Sequence, residues 1–199
     1  YHEYVYICWR HDLFEVDIET VREAQRFACC HVRRDISVVY FCLFFIRNQH
    51  VDYICRFCDR HNIRAYDEES GKGLLRHIYL RCGQVSGEIM VCLVVNGERL
   101  PSEQVLAREL TAQFPNVVSV MLNINTKNTN VVLGEKYRLL VGKDRIEDTL
   151  CGLKFEIAPS AFYQVNHDAC ELLYGIARSR AALTGKETLL DLYCGIGTI

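Results

Sequence analysis

The sequence predicts an α+β domain followed by the opening units of a doubly wound α/β domain. Three observations carry this expectation. Between residues 67 and 150, apolar β-branched runs alternate with one amphipathic helical stretch and short turns. From Cys151 a strand, a helix and a second apolar run follow in βαβ order. That last run enters a glycine turn, "DLYCGIGTI" (191–199), and such turns sit where ligands bind in open α/β sheets.

Residues 1–66 carry the weakest pattern. "HDLFEVDIETVREAQ" reads as a strand and then a helix. "ISVVYFCLFFI" (36–46) reads as a buried strand or helix, well short of the roughly 20 apolar residues that cross a bilayer. In the second segment, 67–150, "GLLRHIYLR" and "GEIMVCLVVNG" are two strands joined by a turn around Gly83 to Gly87. "LPSEQVLARELTAQFP" spaces Leu106, Leu110 and Phe114 by four, with Ser102 as N-cap and Pro115 as a stop, which predicts a helix. In "VVSVMLNIN" the residues Val118, Val120, Leu122 and Ile124 alternate, as on a half-buried strand. "YRLLVG" adds a further short strand.

The third segment, 151–199, begins with "LKFEIAPSAFYQVN", a strand running into a loop. The helix after it takes Asn166 as N-cap and sets Ala169, Leu172, Leu173, Ile176 and Ala177 on one face, with Gly185 ending it. "ETLLDLYCGIG" is then a strand entering the glycine turn. A doubly wound domain needs several more strands than these. With Tyr1 rather than Met at the front, the sequence is expected to be an internal fragment of a longer protein.

Composition bounds the setting. Half of the 199 residues are apolar, and the formal charge of −2 neither requires nor forbids nucleic acid, since a basic face can sit within a neutral total. The cysteines number 11, an odd count, and are unevenly spaced. With no export signal, this favours a reduced, cytoplasmic setting over a disulfide framework. "CRFC" (Cys55, Cys58) and the adjacent Cys29 and Cys30 lack the second pair that a metal site asks for.

The chemistry concentrates near the C-terminus. Gly195 and Gly197 let the backbone turn sharply and approach a ligand without Cβ interference. Asp191 can orient loop amides or accept from a ligand ammonium group. A dinucleotide fingerprint would want a third glycine, and the chain supplies Thr198 and Ile199 instead, so this turn alone leaves nucleotide and S-adenosylmethionine binders both open. Upstream stands "PSAFYQVN" (159–166). With "DLYCGIGT" it resembles the RNA uracil-5-methyltransferases, which use S-adenosylmethionine. "YDEESGKGLLRHIYLR" (66–81) and "TNVVLG" (129–134) resemble the same family, the first especially its branch acting on large-subunit (23S) ribosomal RNA. The resemblance spans about 66–199.

That resemblance implies a central α+β RNA-binding domain (67–150) and the truncated start of a Rossmann-like class I methyltransferase domain (151–199), with 1–66 matched poorly. It implies cofactor contacts from Gln164, Tyr193, Asp191, Gly195, Gly197 and Thr198. It implies RNA contact from Arg76, His77 and Arg81, although Arg76 and Arg81 fall on opposite faces of an unbent strand. The family adds a cysteine thiolate to uracil C6, so that C5 attacks the methyl sulfonium, and a base then removes the C5 proton. That cysteine and base lie downstream of the glycine turn, so no catalytic residue is expected within this chain. Cys194 is expected to be a small packing residue. Many relatives hold an iron–sulfur cluster near the N-terminus and often carry a cysteine after "VDIET". Val21 stands there, and neither cluster nor other metal is expected. The expected partner is RNA, ribosomal RNA by the resemblance, with no membrane partner and a monomeric protein; charge alone does not require RNA. A non-catalytic RNA-binding remnant stays open, and so does a nucleotide-dependent oxidoreductase fragment, although the latter leaves "FYQVN" and the central domain unaccounted for.

Overall fold

The structure is a computed structural model that describes residues 37–40, 47–128, 131–192 and 194–198. The expected strand and helix in "HDLFEVDIETVREAQ" lie outside the described residues, as does Tyr193. A five-stranded sheet runs in the order β1-β2-β3-β4-β5, with β1 Ser37–Tyr40, β2 Leu75–Cys82, β3 Ile89–Val95, β4 Val117–Ile124 and β5 Lys136–Gly142. Pairs β1/β2 and β3/β4 are parallel, while β2/β3 and β4/β5 are antiparallel. A parallel pair cannot be closed by a tight hairpin, so a helix carries the chain back each time. Helix α1 (Arg47–Arg60) lies between β1 and β2, and α2 (Glu103–Gln113) between β3 and β4.

Both helices cover one face of the sheet. Val51, Ile54, Phe57 and Cys58 of α1 recur at helical spacing and pack with Leu106, Ala107 and Leu110 of α2 against Ile78, Leu80, Val91, Leu93, Val120 and Leu122. The sheet and its core therefore extend to the N-terminal side of Asp67. Tyr53 Oη donates to Glu109 Oε2 at 2.8 Å and ties the two helices together. Ser102 occupies the N-cap position of α2, but its side chain caps nothing. Glu103 instead accepts the Leu100 amide, ahead of the helix, at 3.0 Å, and Arg138 from β5 grips the same carboxylate.

The other face of the sheet is buried too. A hairpin of β6 (Ile146–Leu150) and β7 (Leu153–Ile157) sets Ile146 and Ile157 against Tyr79, Met90, Cys92, Val94 and Met121. The expected half-buried β4 is thus buried on both sides. Its pattern also breaks, because Ile89 pairs with Val117 and Met90 with Ser119, leaving Val118 as an extra residue in a bulge. Val118 joins the hairpin-side core, apart from Val120 and Leu122.

Helix α3 (His167–Ala181) starts as expected, with Asn166 Oδ1 accepting the Ala169 amide at 3.1 Å. It ends at Ala181, before Gly185, through a left-handed Ala182. The expected apolar face does not meet a core: Leu172, Leu173 and Ile176 are exposed, and the helix buries His167 and Cys170 instead. The expected strand over 187–192 is likewise not formed. Among the described residues it has no neighbouring strand with which to exchange backbone hydrogen bonds, and Leu189, Leu190 and Leu192 are 68%, 76% and 76% exposed.

Truncating α1 and α3 should therefore have opposite consequences. Ile54→Ala is expected to lower unfolding free energy by about 2–5 kcal/mol, as for a cavity in a packed core. Leu172→Ala should stay within about 0.5 kcal/mol. Urea unfolding of both variants checks this, and a neutral Ile54→Ala would separate α1 from the core.

Candidate cofactor-binding site

The segment after β7 forms no ladder, so its backbone groups need other partners. The sheet supplies them. Arg81 on β2 directs one guanidinium nitrogen, Nη1, to the carbonyls of Ala158 and Pro159 at 2.6 and 3.1 Å. Ala161 and Tyr163 pack on the hairpin-side core. Tyr163 Oη donates to Asp148 Oδ2 at 3.1 Å.

Asp148 is a second anchor. Its buried carboxylate accepts the amides of Gln84, Val85 and Ser86 at 3.0, 2.8 and 3.2 Å. It thereby joins the turn between β2 and β3, formed where the sequence predicts, to β6 and to Tyr163. Burial is the largest influence on this acid and opposes its ionisation, but the converging amides outweigh it and hold its pKa below the ordinary value. Tyr163 is pushed the other way, first by burial and then by the Asp148 charge, so it stays a phenol.

Held in this way, 158–163 delivers Gln164 to the edge of the sheet. It lines a shallow cleft with Arg81, Cys82, Ile146, Ile157, Tyr163 and Val165. On its other side Gln164 lies near the hydroxyl of Tyr174, from α3. The same hydroxyl lies 3.3 Å from Thr198 Oγ1. Two of the expected cofactor residues, distant in sequence, thus come near one residue that sequence reasoning did not single out. The available signal was positional: Tyr174 stands four residues after Cys170, on the buried side of α3.

The glycine turn forms locally. Gly197 donates to the Cys194 carbonyl at 2.7 Å, and Gly195 and Gly197 adopt φ of 56° and 79°, which a side chain would strain. A Cβ at either glycine would meet nothing within 4 Å, so the turn faces open space. Asp191 is exposed at its start, and Cys194 is exposed, whereas a packing residue was expected.

The basic residues expected at RNA are placed differently. Arg76, His77 and Arg81 are 3%, 7% and 8% exposed. A bulge between Leu75 and His77 interrupts the expected alternation of β2. Arg76 donates to the carbonyls of Asn125 and Lys127 at 2.9 and 2.7 Å and lies over the Tyr66 ring, while Arg81 serves 158–159 at the other end of the strand. Both guanidinium groups brace loops of the protein. The described part of "TNVVLG", 131–134, is braced as well, by Asn125 on the carbonyls of Val131 and Val132 and by Asn123 on Gly134. Any side chain at Gly134 would collide with the Ile124 carbonyl, 2.0 Å from its Cβ position.

Burial raises the thiol pKa of Cys58 and of Cys92 to about 12, and also raises that of Cys170, which favours the thiol over the nucleophilic thiolate. Among the described residues no group of three or more His, Cys, Asp or Glu side chains is placed to hold a metal, and no helix is long and apolar enough to cross a membrane.

Comparison with known proteins fits this geometry. Over 149 residues the chain is 43% identical to an uncharacterized RNA methyltransferase of Bacillus cereus (strain ATCC 14579), covering 75% of this chain and 32% of the relative. Over 137 residues it is 47% identical to another from Halalkalibacterium halodurans, covering 69% and 30%. The matched part of the chain is related to RNA methyltransferases. The crystal structure of Pyrococcus abyssi tRNA (uracil-54, C5)-methyltransferase in complex with S-adenosyl-L-homocysteine shares its mixed α/β fold. The TM-score is 0.60 with 25% identity, over 76% of this chain and 35% of that one. No family model matches the chain. The chain spans about a third of the length of the RNA methyltransferases it matches.

In this RNA methyltransferase-related chain, Asp148 should leave a mark on acid stability. With its native pKa lowered, its contribution is complete above the unfolded value of about 3.9 and disappears as pH falls through the native one. Asp148→Asn is expected to cost about 1–3 kcal/mol at neutral pH and to flatten the acid limb of a stability-versus-pH curve. An unchanged acid limb would contradict the anchor role.

Proposed function

We propose that the whole protein transfers a methyl group from S-adenosylmethionine to C5 of a uridine in RNA, and that this chain supplies the central domain and the first part of the cofactor pocket. The supporting observation is that Thr198 of the glycine turn contacts Tyr174 of α3, with Gln164 close by. The amino-acid end of the cofactor carries an ammonium and a carboxylate beside a sulfonium. Gln164, Thr198 and the exposed Asp191 offer an amide, a hydroxyl and a carboxylate, and the open turn at Gly195 and Gly197 lets backbone come close. Tyr193, two residues after Asp191 in the sequence, belongs to the same proposed pocket. When bound, the cofactor supplies an electrophilic methyl group.

The nucleophilic cysteine and the base are proposed to stand outside these 199 residues, and the chain by itself is proposed to be inactive. The upward shifts of Cys58, Cys92 and Cys170 speak against these three as the nucleophile. RNA contact in the region of Arg76, His77 and Arg81 is proposed to run through the loops that the two arginines brace, 125–134 and 158–163, because the guanidinium groups are committed to carbonyls. The resemblance of 66–81 points to ribosomal RNA as substrate, and a cytoplasmic monomer is the corresponding setting.

The experiment is methyl transfer from labelled S-adenosylmethionine by the full-length protein, with ribosomal RNA and tRNA as parallel substrates. Label is expected at uridine C5 of ribosomal RNA, and Gln164→Ala should reduce the rate at subsaturating cofactor about tenfold or more, the effect of roughly 1.4 kcal/mol of lost binding. Label in tRNA alone would move the substrate class. RNA binding with no transfer would favour a non-catalytic remnant.

A further inference from the structure

We propose that His167 and Glu171 are positioning residues that clasp α3 to the β6–β7 hairpin and so register the glycine-turn wall of the cofactor site against the Gln164 wall. The inference rests on the methyltransferase reading above and adds to it the means by which two walls, distant in sequence, are held together.

The clasp begins in the hairpin. Leu150 pairs with Leu153, so only Cys151 and Gly152 join β6 to β7, with φ of 51° and 79°. Positive φ at both positions follows the twist of a two-residue hairpin, and Asn-Gly adopts it most readily. Cys151 enters the left-handed region without that advantage, and an amide at the first turn position needs a partner outside the ladder. Glu171 of α3 is that partner: the Cys151 amide donates to Glu171 Oε1 at 2.7 Å. One helical turn earlier, Nε2 of the buried His167 lies 2.8 Å from the Thr149 carbonyl. A carbonyl oxygen only accepts, so Nε2 carries the proton.

The spacing gives these contacts a common sense. Tyr163, His167 and Glu171 recur at four-residue intervals and meet Asp148, Thr149 and Cys151 in order along β6 and its turn. The segment that carries Gln164 and the helix after it are thus laid along one hairpin. Three residues past Glu171, the hydroxyl of Tyr174 lies 3.3 Å from Thr198 Oγ1, which extends the same frame to the glycine turn. With Leu172, Leu173 and Ile176 exposed, the docking of α3 rests on these polar contacts and on the buried Cys170. A wall placed before the cofactor arrives spares the cofactor the cost of ordering it. At saturation the bound cofactor itself draws the turn into place. Loss of the clasp therefore weakens binding without slowing the bound complex.

The test uses the full-length protein. Glu171→Ala removes the acceptor, whereas Glu171→Gln keeps Oε1 and removes only the charge. In Glu171→Ala, S-adenosylhomocysteine is expected to bind about tenfold more weakly and KM for S-adenosylmethionine to rise about as much, with kcat and KM for RNA within about twofold. Glu171→Gln should recover most of that loss. Hydrogen exchange at the Cys151 amide should be slow in the unsubstituted protein and in Glu171→Gln, and fast in Glu171→Ala. His167→Leu fills the buried space without a donor and should match Glu171→Ala, while His167→Gln, which keeps a donor nitrogen, should stay near the unsubstituted protein. Unchanged S-adenosylhomocysteine affinity in Glu171→Ala or His167→Leu would overturn the inference. So would a Glu171→Gln variant as weak as Glu171→Ala, a loss of kcat in place of a rise in KM, or a Cys151 amide that exchanges freely in the unsubstituted protein. If Gln164→Ala still weakens the cofactor in any of those cases, the methyltransferase reading stands. No binding of S-adenosylhomocysteine by the unsubstituted protein would overturn that reading, and this inference with it.

Discussion

The arrangement depends on one buried charge. Arg81 carries its guanidinium under the hairpin-side face of the sheet, where an unsatisfied cation would be costly. The segment after β7 has the complementary need, since its carbonyls have left the ladder and lie against the same surface. Ala158 and Pro159 satisfy the arginine, and the arginine satisfies them. Once 158–159 is fixed, Ala161 and Tyr163 fall onto the sheet in succession, and the position of Gln164 is set by its neighbours.

This explains what was legible in the sequence. Strands β2, β3 and β5, helix α2 and the Asn166 cap of α3 were readable because their signals are local: alternation, four-residue spacing, a capping side chain. The Gly83–Gly87 turn was readable for the same reason. Helix α1 had a usable signal as well, in the spacing of Val51, Ile54, Phe57 and Cys58, but the aromatic run before it obscured its start. The bulge at Val118 left no local trace, since it reflects how β4 registers against β3.

The site shows the same division more sharply. Its motif residues could be named from the sequence, but the partners of Arg76 and Arg81 could not. A basic residue on a strand reads as an RNA contact until a carbonyl from a remote loop is found within hydrogen-bonding distance. Asp148 was invisible for this reason too, because its value lies in three amides contributed by a turn some sixty residues earlier.

The last segment separates propensity from structure. "ETLLDL" has the composition of a strand, yet a strand is stabilised by its neighbours, and without one among the described residues its leucines stay exposed. The glycine turn needs no neighbour and forms next to it through a single local hydrogen bond. The candidate pocket therefore has one wall fixed by tertiary contacts and another fixed only by turn chemistry. Positive φ at Gly195 and Gly197 can shape that second wall but cannot aim it. Aiming requires a bond from outside the turn, and the hydroxyl of Tyr174 supplies one from a helix whose own start is fixed by Asn166.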